Sequence, residues 1–326
     1  MRITLRMLRH YDEKVIAFAK QLGMKSILLG SCLYLGEDYY EEDKLFEVKH
    51  KLKEHGLNIE AIENVPIGQI YKVFFGLDGR DEQIENYIKT VRNLGKVGIP
   101  ILGTAFMPSM VWRTSVNDPG RGNAVMTSYD HSLMPMGNKH KTAVCLSDAK
   151  PDLETMWDNF KYFIDAVIPE AEKAGVRIAL HPDDPPVDEV GGIPRLFNSI
   201  ERLRKGVQLA DSDYFGFDLC LGTISEMQDG RNQVFKAIET FGAMQKIFYV
   251  HMRNVQGCVP VFKECFIDEG NYNPAEAVLR LQSVGFDGFI IEDHTPVMTE
   301  GDTYQFPSRA YALGYLNGLV RMAETR

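Results

Sequence analysis

RIALHPDDPP, residues 177–186, is a short β-rich run that ends in a histidine, two aspartates and three prolines. A strand that only fills a core usually ends at a turn built from Gly, Asn or Ser, so this ending predicts ligands or catalytic groups. Eight runs of this kind occur along the chain. They are ITLRM (3–7), SILLGS (26–31), NIEAIEN (58–64), PILGTAF (100–106), RIALHP (177–182), FGFDLC (215–220), IFYVHMRN (247–254) and GFIIEDH (288–294).

Amphipathic segments separate these runs, and several end in glycine, as helices often do. Examples are DEKVIAFAKQLGM, EEDKLFEVKHKLKEHG, DEQIENYIKTVRNLGKVG, DLETMWDNFKYFIDAVIPEAEKAG and NPAEAVLRLQSVGF. Eight strand–helix units with nearly continuous apolar strands predict an α/β fold, a (β/α)8 TIM barrel. A doubly wound sheet is the competing fold, but no GxGxxG follows the first strand. We expect a single domain over 1–326, with a long irregular insertion after strand 4, approximately 107–150, that acts as a lid or subunit contact.

Composition excludes several classes of protein. The chain has 326 residues, of which 44% are hydrophobic, and a formal net charge of −9 without a basic stripe, so a nucleic-acid partner is not expected. No run resembles a signal peptide or a membrane span, so we expect a cytoplasmic protein with no membrane partner. The five cysteines, expected to be reduced, are Cys32, Cys145, Cys220, Cys258 and Cys265.

The ends of predicted strands five to eight each carry one side chain that can bind a metal. These side chains are His181, Cys220, His251 and Asp293, with His294 next to the last of them. Each alone is compatible with a structural role, as a hydrogen-bonded histidine, a core cysteine or a helix-capping acid. Because neighbouring strands of a barrel bring these ends together, the set predicts a first-row divalent ion, with Zn²⁺, Fe²⁺ and Mn²⁺ all feasible.

Other acids near the strand ends have two interpretations. Asp183 and Asp184 either orient an imidazole as hydrogen-bond acceptors or form a solvated turn between prolines. Asp218 shares a side of its strand with Cys220 and therefore either lines the barrel or supports the metal site. Glu292 should point away from Asp293, because successive side chains of a strand alternate, unless the strand has already ended there.

Several segments resemble the mannonate dehydratase family, a branch of the xylose-isomerase-like TIM barrels. The resemblance spans most of the chain. The segments are HPDDPP (181–186), VHMRNV (250–255), YIKTVRNLGKVGIP followed by FMPSMVWRT (within 87–114) and SRAYALGYLNGL (308–319).

The resemblance implies a site and a reaction. The ion would be Mn²⁺ or Fe²⁺, and its ligands would be His181, Cys220, His251 and Asp293. The reaction would remove water from D-mannonate to give 2-keto-3-deoxy-D-gluconate, with His294 and Tyr315 as catalytic residues. A group of near-neutral pKa such as His294 suits proton transfer, whereas Tyr315 is equally compatible with packing on a helix.

The chain departs from the family pattern at two strand ends. The family's Arg-Pro-Asp-His-Gly is Ile-Glu-Asp-His-Thr here, residues 291–295, so an arginine suited to a sugar-acid carboxylate is missing. The family's Phe-Cys-Thr-Gly is replaced in this chain by Leu-Cys-Leu-Gly, residues 219–222. Candidate replacements for the missing cation are Arg113, Arg121, Arg253 and Arg309. Asp183 and Glu292 are further candidate substrate contacts, and Glu292 also has the chemistry of a base or an extra ligand.

Three functions are consistent with these residues. The first is a metal-dependent sugar-acid dehydratase acting on a small sugar acid. The second, suggested by Glu292 and the missing arginine, is a sugar isomerase or epimerase on the same barrel, and the third is a non-catalytic sugar-acid-binding homologue. The resemblance and the long segment after strand four predict a homo-oligomer.

Overall fold

The computed structural model describes residues 1–7, 10–136, 147–298 and 303–325 of the protein. The strands in these residues are β1 (Arg2–Ile3), β2 (Leu5–Met7), β3 (Ser26–Leu29), β4 (Asn58–Glu63), β5 (Ile101–Thr104), β6 (Ser115–Pro119), β7 (Val125–Asp130), β8 (Arg177–Leu180), β9 (Glu189–Val190), β10 (Ile193–Pro194), β11 (Phe215–Cys220), β12 (Ile247–Met252), β13 (Asn254–Cys258), β14 (Val261–Cys265) and β15 (Phe289–Glu292).

Nine of these strands form one parallel sheet in the order β1-β15-β12-β11-β8-β5-β4-β3-β2. β1 and β2 are two halves of the first predicted strand, separated at Thr4. β1 pairs with β15, whereas β2 pairs with β3. Because both edges of the sheet come from the same stretch of chain, the sheet closes into a barrel with eight strand positions. The predicted eight strands and the TIM-barrel fold are confirmed.

Helices follow the barrel strands and cover their outer face. They are α1 (Glu13–Gln21), α2 (Glu42–Glu54), α3 (Tyr71–Phe75), α4 (Arg80–Val97), α5 (Leu153–Ala174), α6 (Ile200–Ala210), α7 (Leu221–Glu226), α8 (Gly230–Ala243), α9 (Pro274–Ser283) and α10 (Phe306–Glu324). Asp152 begins α5 by accepting a hydrogen bond from the Thr155 amide, and Gly175 ends it in the left-handed conformation. None of the helices in the described residues is long and apolar enough to cross a membrane.

The segment after β5 is less irregular than its composition predicted. Residues 115–119 and 125–130 form β6 and β7, and these strands join the hairpin β13–β14 in an antiparallel sheet of order β13-β14-β7-β6, here called the accessory sheet. The prediction that this insertion is irregular is therefore wrong for residues 115–119 and 125–130: β6 pairs with β7 nearby, and β7 pairs with β14, more than a hundred residues away. Residues 137–146 of that insertion, with Cys145, lie outside the described residues. The predicted lid or contact role stays a prediction.

A second apolar cluster, separate from the one between strands and helices, packs within the barrel sheet. Its members are Leu28, Ala61, Ile101, Ala179, Phe248, Tyr249, Phe289 and Ile291. The Tyr249 ring stacks on Phe289 with centroids 4.9 Å apart. A side chain at Gly103 would lie 2.6 Å from the Tyr249 hydroxyl, so this position needs glycine. The polar side chains at the ends of the strands lie next to this cluster.

Candidate metal and acid–base site

The barrel places the four predicted ligands at one end of four neighbouring strands. His181 follows β8, Cys220 ends β11 and His251 lies near the end of β12. Cys220 pairs directly with His251, and His251 pairs with Ile291, two residues before Asp293. Since parallel strands end at the same edge of a sheet, their terminal side chains meet there.

His181, Cys220 and His251 form the centre of this site. Each offers one ligand atom, and these atoms all lie within 4.8 Å of one another. Metal–sulfur and metal–nitrogen bonds measure about 2.0–2.3 Å, so one ion can reach all three ligands after small adjustments. Asp293 lies beside them, with Oδ2 3.6 Å from Nδ1 of His251. The soft thiolate and the imidazoles with one carboxylate fit a first-row divalent ion.

Electrostatics favours the deprotonated thiolate that a metal ligand requires. Burial alone would raise the pKa of Cys220, but Arg253 and the hydrogen bonds from His181 and His251 hold that pKa well below its usual value. Burial likewise opposes ionisation of Asp293, yet His294 and His251 hold the pKa of this carboxyl well below its usual range. Both groups are therefore ready to bind a cation.

Two further carboxylates face the other nitrogen of His251. Its Nε2 lies 2.9 Å from Oε1 of Glu63 and 3.1 Å from Oδ2 of Asp218. All three side chains are buried. A histidine that binds a metal usually presents its second nitrogen to a carboxylate. Asp218 thus lines the barrel and lies beside a predicted ligand. Glu63 was not predicted, although it ends the third predicted strand as the ligands end theirs.

Asp183 and Asp184 do not form a solvated turn, because both are buried. Asp183 accepts a hydrogen bond of 2.5 Å from the Phe197 amide and pairs with Arg195 at 3.3 Å. The nearest partner of the His181 Nδ1 is the Pro182 carbonyl, 2.6 Å away. The prediction that these aspartates are solvated is wrong, and the structure shows no contact of either with the His181 ring in the described residues. Through their hydrogen bonds and ion pairs, the two aspartates connect loops at this end of the barrel.

A buried ion network surrounds Asp184 and contains two of the predicted substrate arginines. Asp184 accepts hydrogen bonds from both Arg113 and Arg253, the latter at 2.6 Å. Arg253 also donates to Glu226 at 2.8 Å, and Arg113 donates to Glu264 at 2.7 Å. A side chain at position 222 would overlap that of Arg253, which explains why the glycine of the strand-six motif is present here.

The network predicts a large difference in stability between two arginines of the segment after β5. Arg113→Met should lower the free energy of unfolding by about 3–5 kcal/mol, because it leaves the carboxylates of Asp184 and Glu264 buried without this cation. Arg121→Met removes exposed pairs with Asp268 and Glu269 and a contact with the Phe266 ring, and should cost at most about 2 kcal/mol. Urea denaturation followed by tryptophan fluorescence measures both. Equal losses would contradict the assignment of Arg113 to a buried network.

A cavity of about 330 Å³ opens beside Asp293, a volume suited to a small molecule. The charged and imidazole side chains in its lining come from five segments and are Arg6, Arg113, Glu264, Asp293, His294 and Arg309. Arg6 lies 3.0 Å from Asp293 and 2.5 Å from Glu63. Arg6 was not predicted. An arginine within the otherwise apolar run TLRM was the available signal.

His294 is the imidazole that reaches this cavity. Its backbone has φ of 41°, in the left-handed region that few residues other than glycine adopt. Its Nδ1 lies 2.7 Å from Oε1 of Glu264, and its Nε2 lies 3.7 Å from Oδ1 of Asp293. The sharp turn after β15 therefore directs the ring between the accessory sheet and the predicted ligands.

Glu292 and Tyr315 make contacts other than those proposed for them. Glu292 ends β15 and accepts a hydrogen bond of 2.5 Å from Arg309. Tyr315 lies on α10 with its ring stacked on Tyr311, centroids 6.4 Å apart. The described residues that line the cavity do not include Tyr315. Its catalytic role stays a prediction that the contacts of its ring do not support.

Comparison with known proteins shows which family the chain resembles. The family model for D-mannonate dehydratase (UxuA) matches residues 1–151 and 149–326. The chain belongs to the D-mannonate dehydratase family. The resemblance predicted from its sequence segments is confirmed.

Individual relatives of the D-mannonate dehydratase family match most of the chain. A mannonate dehydratase of Streptococcus agalactiae serotype Ia is 32% identical over 310 residues, covering 86% of each protein. Mannonate dehydratase 2 of Halalkalibacterium halodurans is 28% identical over 348 residues, covering 98% of each. The crystal structure of mannonate dehydratase from Streptococcus suis serotype 2 matches with a TM-score of 0.88 at 26% identity, over 100% of this chain and 95% of that one.

Sugar epimerases share the fold at greater distance. The structure of D-psicose 3-epimerase from Clostridium cellulolyticum H10 matches with a TM-score of 0.66 at 15% identity, over 98% of this chain and 99% of that one. Identity this low shows a common barrel and nothing about the reaction. The specific likeness is therefore to the D-mannonate dehydratase family.

Proposed function

We propose that the protein is a metal-dependent dehydratase that converts D-mannonate, or a closely related aldonate, to a 2-keto-3-deoxy acid. The observation that carries this proposal is the group of His181, Cys220 and His251 with Asp293, which lies next to a cavity that His294 enters. Family membership and the names of the relatives support the same reaction.

The ion site is proposed to hold Mn²⁺ or Fe²⁺. Its four ligands would be His181, Cys220, His251 and Asp293. When bound, the ion supplies a positive charge that stabilises the enediolate formed next to the substrate carboxylate. The buried carboxylates of Glu63 and Asp218 would hold the ring of His251 in the orientation for binding.

The proposed role of His294 is to carry the substrate proton. The C2 proton, next to the carboxylate, passes to the imidazole, and the C3–O bond then breaks. The proton and the departing hydroxide together form the water that is lost. The remaining enol moves its hydroxyl proton to C3 and becomes the 2-keto-3-deoxy acid. The exposed edge of the His294 ring at the cavity is the structural feature that allows this transfer.

The substrate carboxylate requires a cation, and three arginines border the cavity. Ile291, which stands where the family has arginine, is buried in the second apolar cluster, the one that packs within the barrel sheet. Among the described acids, Arg309 forms an ion pair only with Glu292. Arg113, in contrast, pairs with three carboxylates. Of the predicted anchors we therefore favour Arg309 for the carboxylate. Arg253 and Asp183 are fixed in buried ion pairs, so direct substrate contact is less suited to them.

The alternative of a sugar isomerase or epimerase loses its main support. It depended on Glu292 acting as a base or extra ligand, but this carboxylate is buried and accepts a hydrogen bond from Arg309. Burial also raises the pKa of Glu292 above its usual value, so the group is a poorer ligand than Asp293.

The test is incubation of the Mn²⁺- or Fe²⁺-loaded protein with a panel of aldonates that includes D-mannonate, in deuterated water. The expected product is lighter than the substrate by one water and carries deuterium at C3. Removal of the ion with a chelator should abolish the reaction, and re-addition should restore it. A product of unchanged heavy-atom composition with deuterium at C2 would indicate an epimerase. No reaction, with the Streptococcus agalactiae relative active in parallel, would contradict both enzyme assignments.

A further inference from the structure

The imidazole of His294 contacts a carboxylate that the proposed reaction does not otherwise use. Glu264, on β14 of the accessory sheet, places Oε1 2.7 Å from Nδ1 of His294. The Glu264 side chain is 5% exposed, whereas that of His294 is 29% exposed and borders the cavity. The contact therefore joins a buried anion to the ring that reaches the substrate.

We propose that Glu264 is the positioning residue of His294: it accepts a hydrogen bond from Nδ1–H and leaves the lone pair of Nε2 free for the substrate proton. This inference rests on the proposed function, because it gives a partner to the acid–base group of that reaction. A carboxylate can only accept hydrogen bonds, so the contact selects the tautomer with hydrogen on Nδ1. The opposite nitrogen lies 3.7 Å from Oδ1 of Asp293, one of the proposed ligands.

Glu264 is itself held in place and kept ionised. Arg113 donates to its Oε1 from Nη2 at 2.7 Å and from Nε at 3.2 Å. Burial would raise the pKa of Glu264, but His294 and Arg113 hold it well below its usual value. Because Arg113 follows β5 and Glu264 lies on β14, two separate segments fix the acceptor in front of the imidazole. The accessory sheet thereby contributes to the geometry of the site.

Glu226 provides a matched control within the same network. It is buried, accepts a hydrogen bond of 2.8 Å from Arg253 and lies 3.3 Å from Arg113. Its described contacts do not include His294. Glu226→Gln keeps the size of this side chain and an oxygen that can accept a hydrogen bond from Arg253. Glu264→Gln instead replaces the carboxylate that contacts His294. Comparison of the two variants therefore separates the effect of disturbing the buried network from the effect of changing the contact with His294.

Kinetics with D-mannonate and the metal-loaded protein is the first readout. Glu264→Gln is expected to lower kcat by about 10- to 100-fold, the loss seen when a metal-binding histidine loses a carboxylate partner, with KM changed far less. Its ion content should equal that of the unmodified protein. Glu226→Gln should retain kcat within about threefold. Equal losses in the two variants, or full kcat in Glu264→Gln, would overturn the proposal.

The tautomer of His294 is a second readout that does not require turnover. In protein labelled with ¹⁵N-histidine and loaded with diamagnetic Zn²⁺, long-range ¹H–¹⁵N spectra report which ring nitrogen carries hydrogen, and His294→Asn assigns the signals. We expect Nδ1–H in the unmodified protein and in Glu226→Gln, and loss of this preference in Glu264→Gln. Nε2–H in the unmodified protein would overturn the proposal even if D-mannonate is dehydrated. Nδ1–H without turnover of any aldonate would support the positioning role and contradict the proposed function instead.

Discussion

A Cys220→Ala variant is expected to purify with little bound divalent ion and to lose at least about 100-fold of its dehydratase activity. Loss of a residue that only orients a metal ligand costs about 10- to 100-fold in metal affinity or activity. Loss of a ligand itself should cost more. Cys220 is fully buried between His181 and His251, and its depressed pKa makes it the anionic member of this group of three. Elemental analysis of the purified protein and steady-state kinetics measure the two effects.

Cys32→Ala is the matched control for this variant. Cys32 also follows a barrel strand and is also fully buried, but its Sγ donates to the Gly30 carbonyl, and burial raises its pKa to about 12. It is therefore a neutral thiol, and its removal leaves a similar cavity without removing a ligand.

Cobalt binding gives a direct readout of the same ligand. Co²⁺-loaded protein should show the intense near-ultraviolet absorption of a thiolate–metal bond, retained in Cys32→Ala and lost in Cys220→Ala. If Cys220→Ala binds a full equivalent of ion, the ion does not use the proposed ligands. The second buried group of possible ligands, Glu63 and Asp218 with His251, would then be the first alternative to examine.

The barrel and the meeting of His181, Cys220 and His251 could be predicted because both depend on local patterns. Each strand is a short apolar run, and each predicted ligand is fixed by its position at the end of a run. Closure of a parallel barrel then brings these ends together without knowledge of any particular contact. For this reason His181, Cys220 and His251 could be expected to meet before any distance between them was known.

The surroundings of the site depend on contacts between distant segments, which no local pattern reports. Glu264 reaches His294 because β14 pairs with β7, and this pairing joins Phe262 to Tyr129 across more than a hundred residues. Asp184 appeared solvated beside prolines because its two arginine partners lie far away in the sequence. The ion pairs of the site are thus set by tertiary structure, whereas the ligand positions are set by strand ends.

Replacement of His294 by asparagine should lower kcat by about 10²- to 10⁴-fold, the usual contribution of general acid–base catalysis, while the bound ion is retained. Asparagine suits this position because it tolerates the left-handed φ of 41° better than most residues, so the turn after β15 should persist. His131→Asn is the matched control, since the His131 ring contacts the Tyr129 hydroxyl and borders a surface groove outside the cavity. Kinetics and elemental analysis of both variants separate loss of the proton carrier from loss of the ion.

Isotope exchange in the same variant distinguishes the two directions of proton transfer. If His294 removes the C2 proton, His294→Asn should lose both water elimination and exchange of the C2 hydrogen with deuterated water, because the enediolate no longer forms. If the imidazole only protonates the departing hydroxyl, exchange at C2 should continue while elimination stops. Retention of both reactions at more than about a tenth of the original rate would remove His294 from the mechanism. The first result is expected, because the His294 ring lines the cavity and its Nε2 lies 3.7 Å from Oδ1 of Asp293, a proposed ligand.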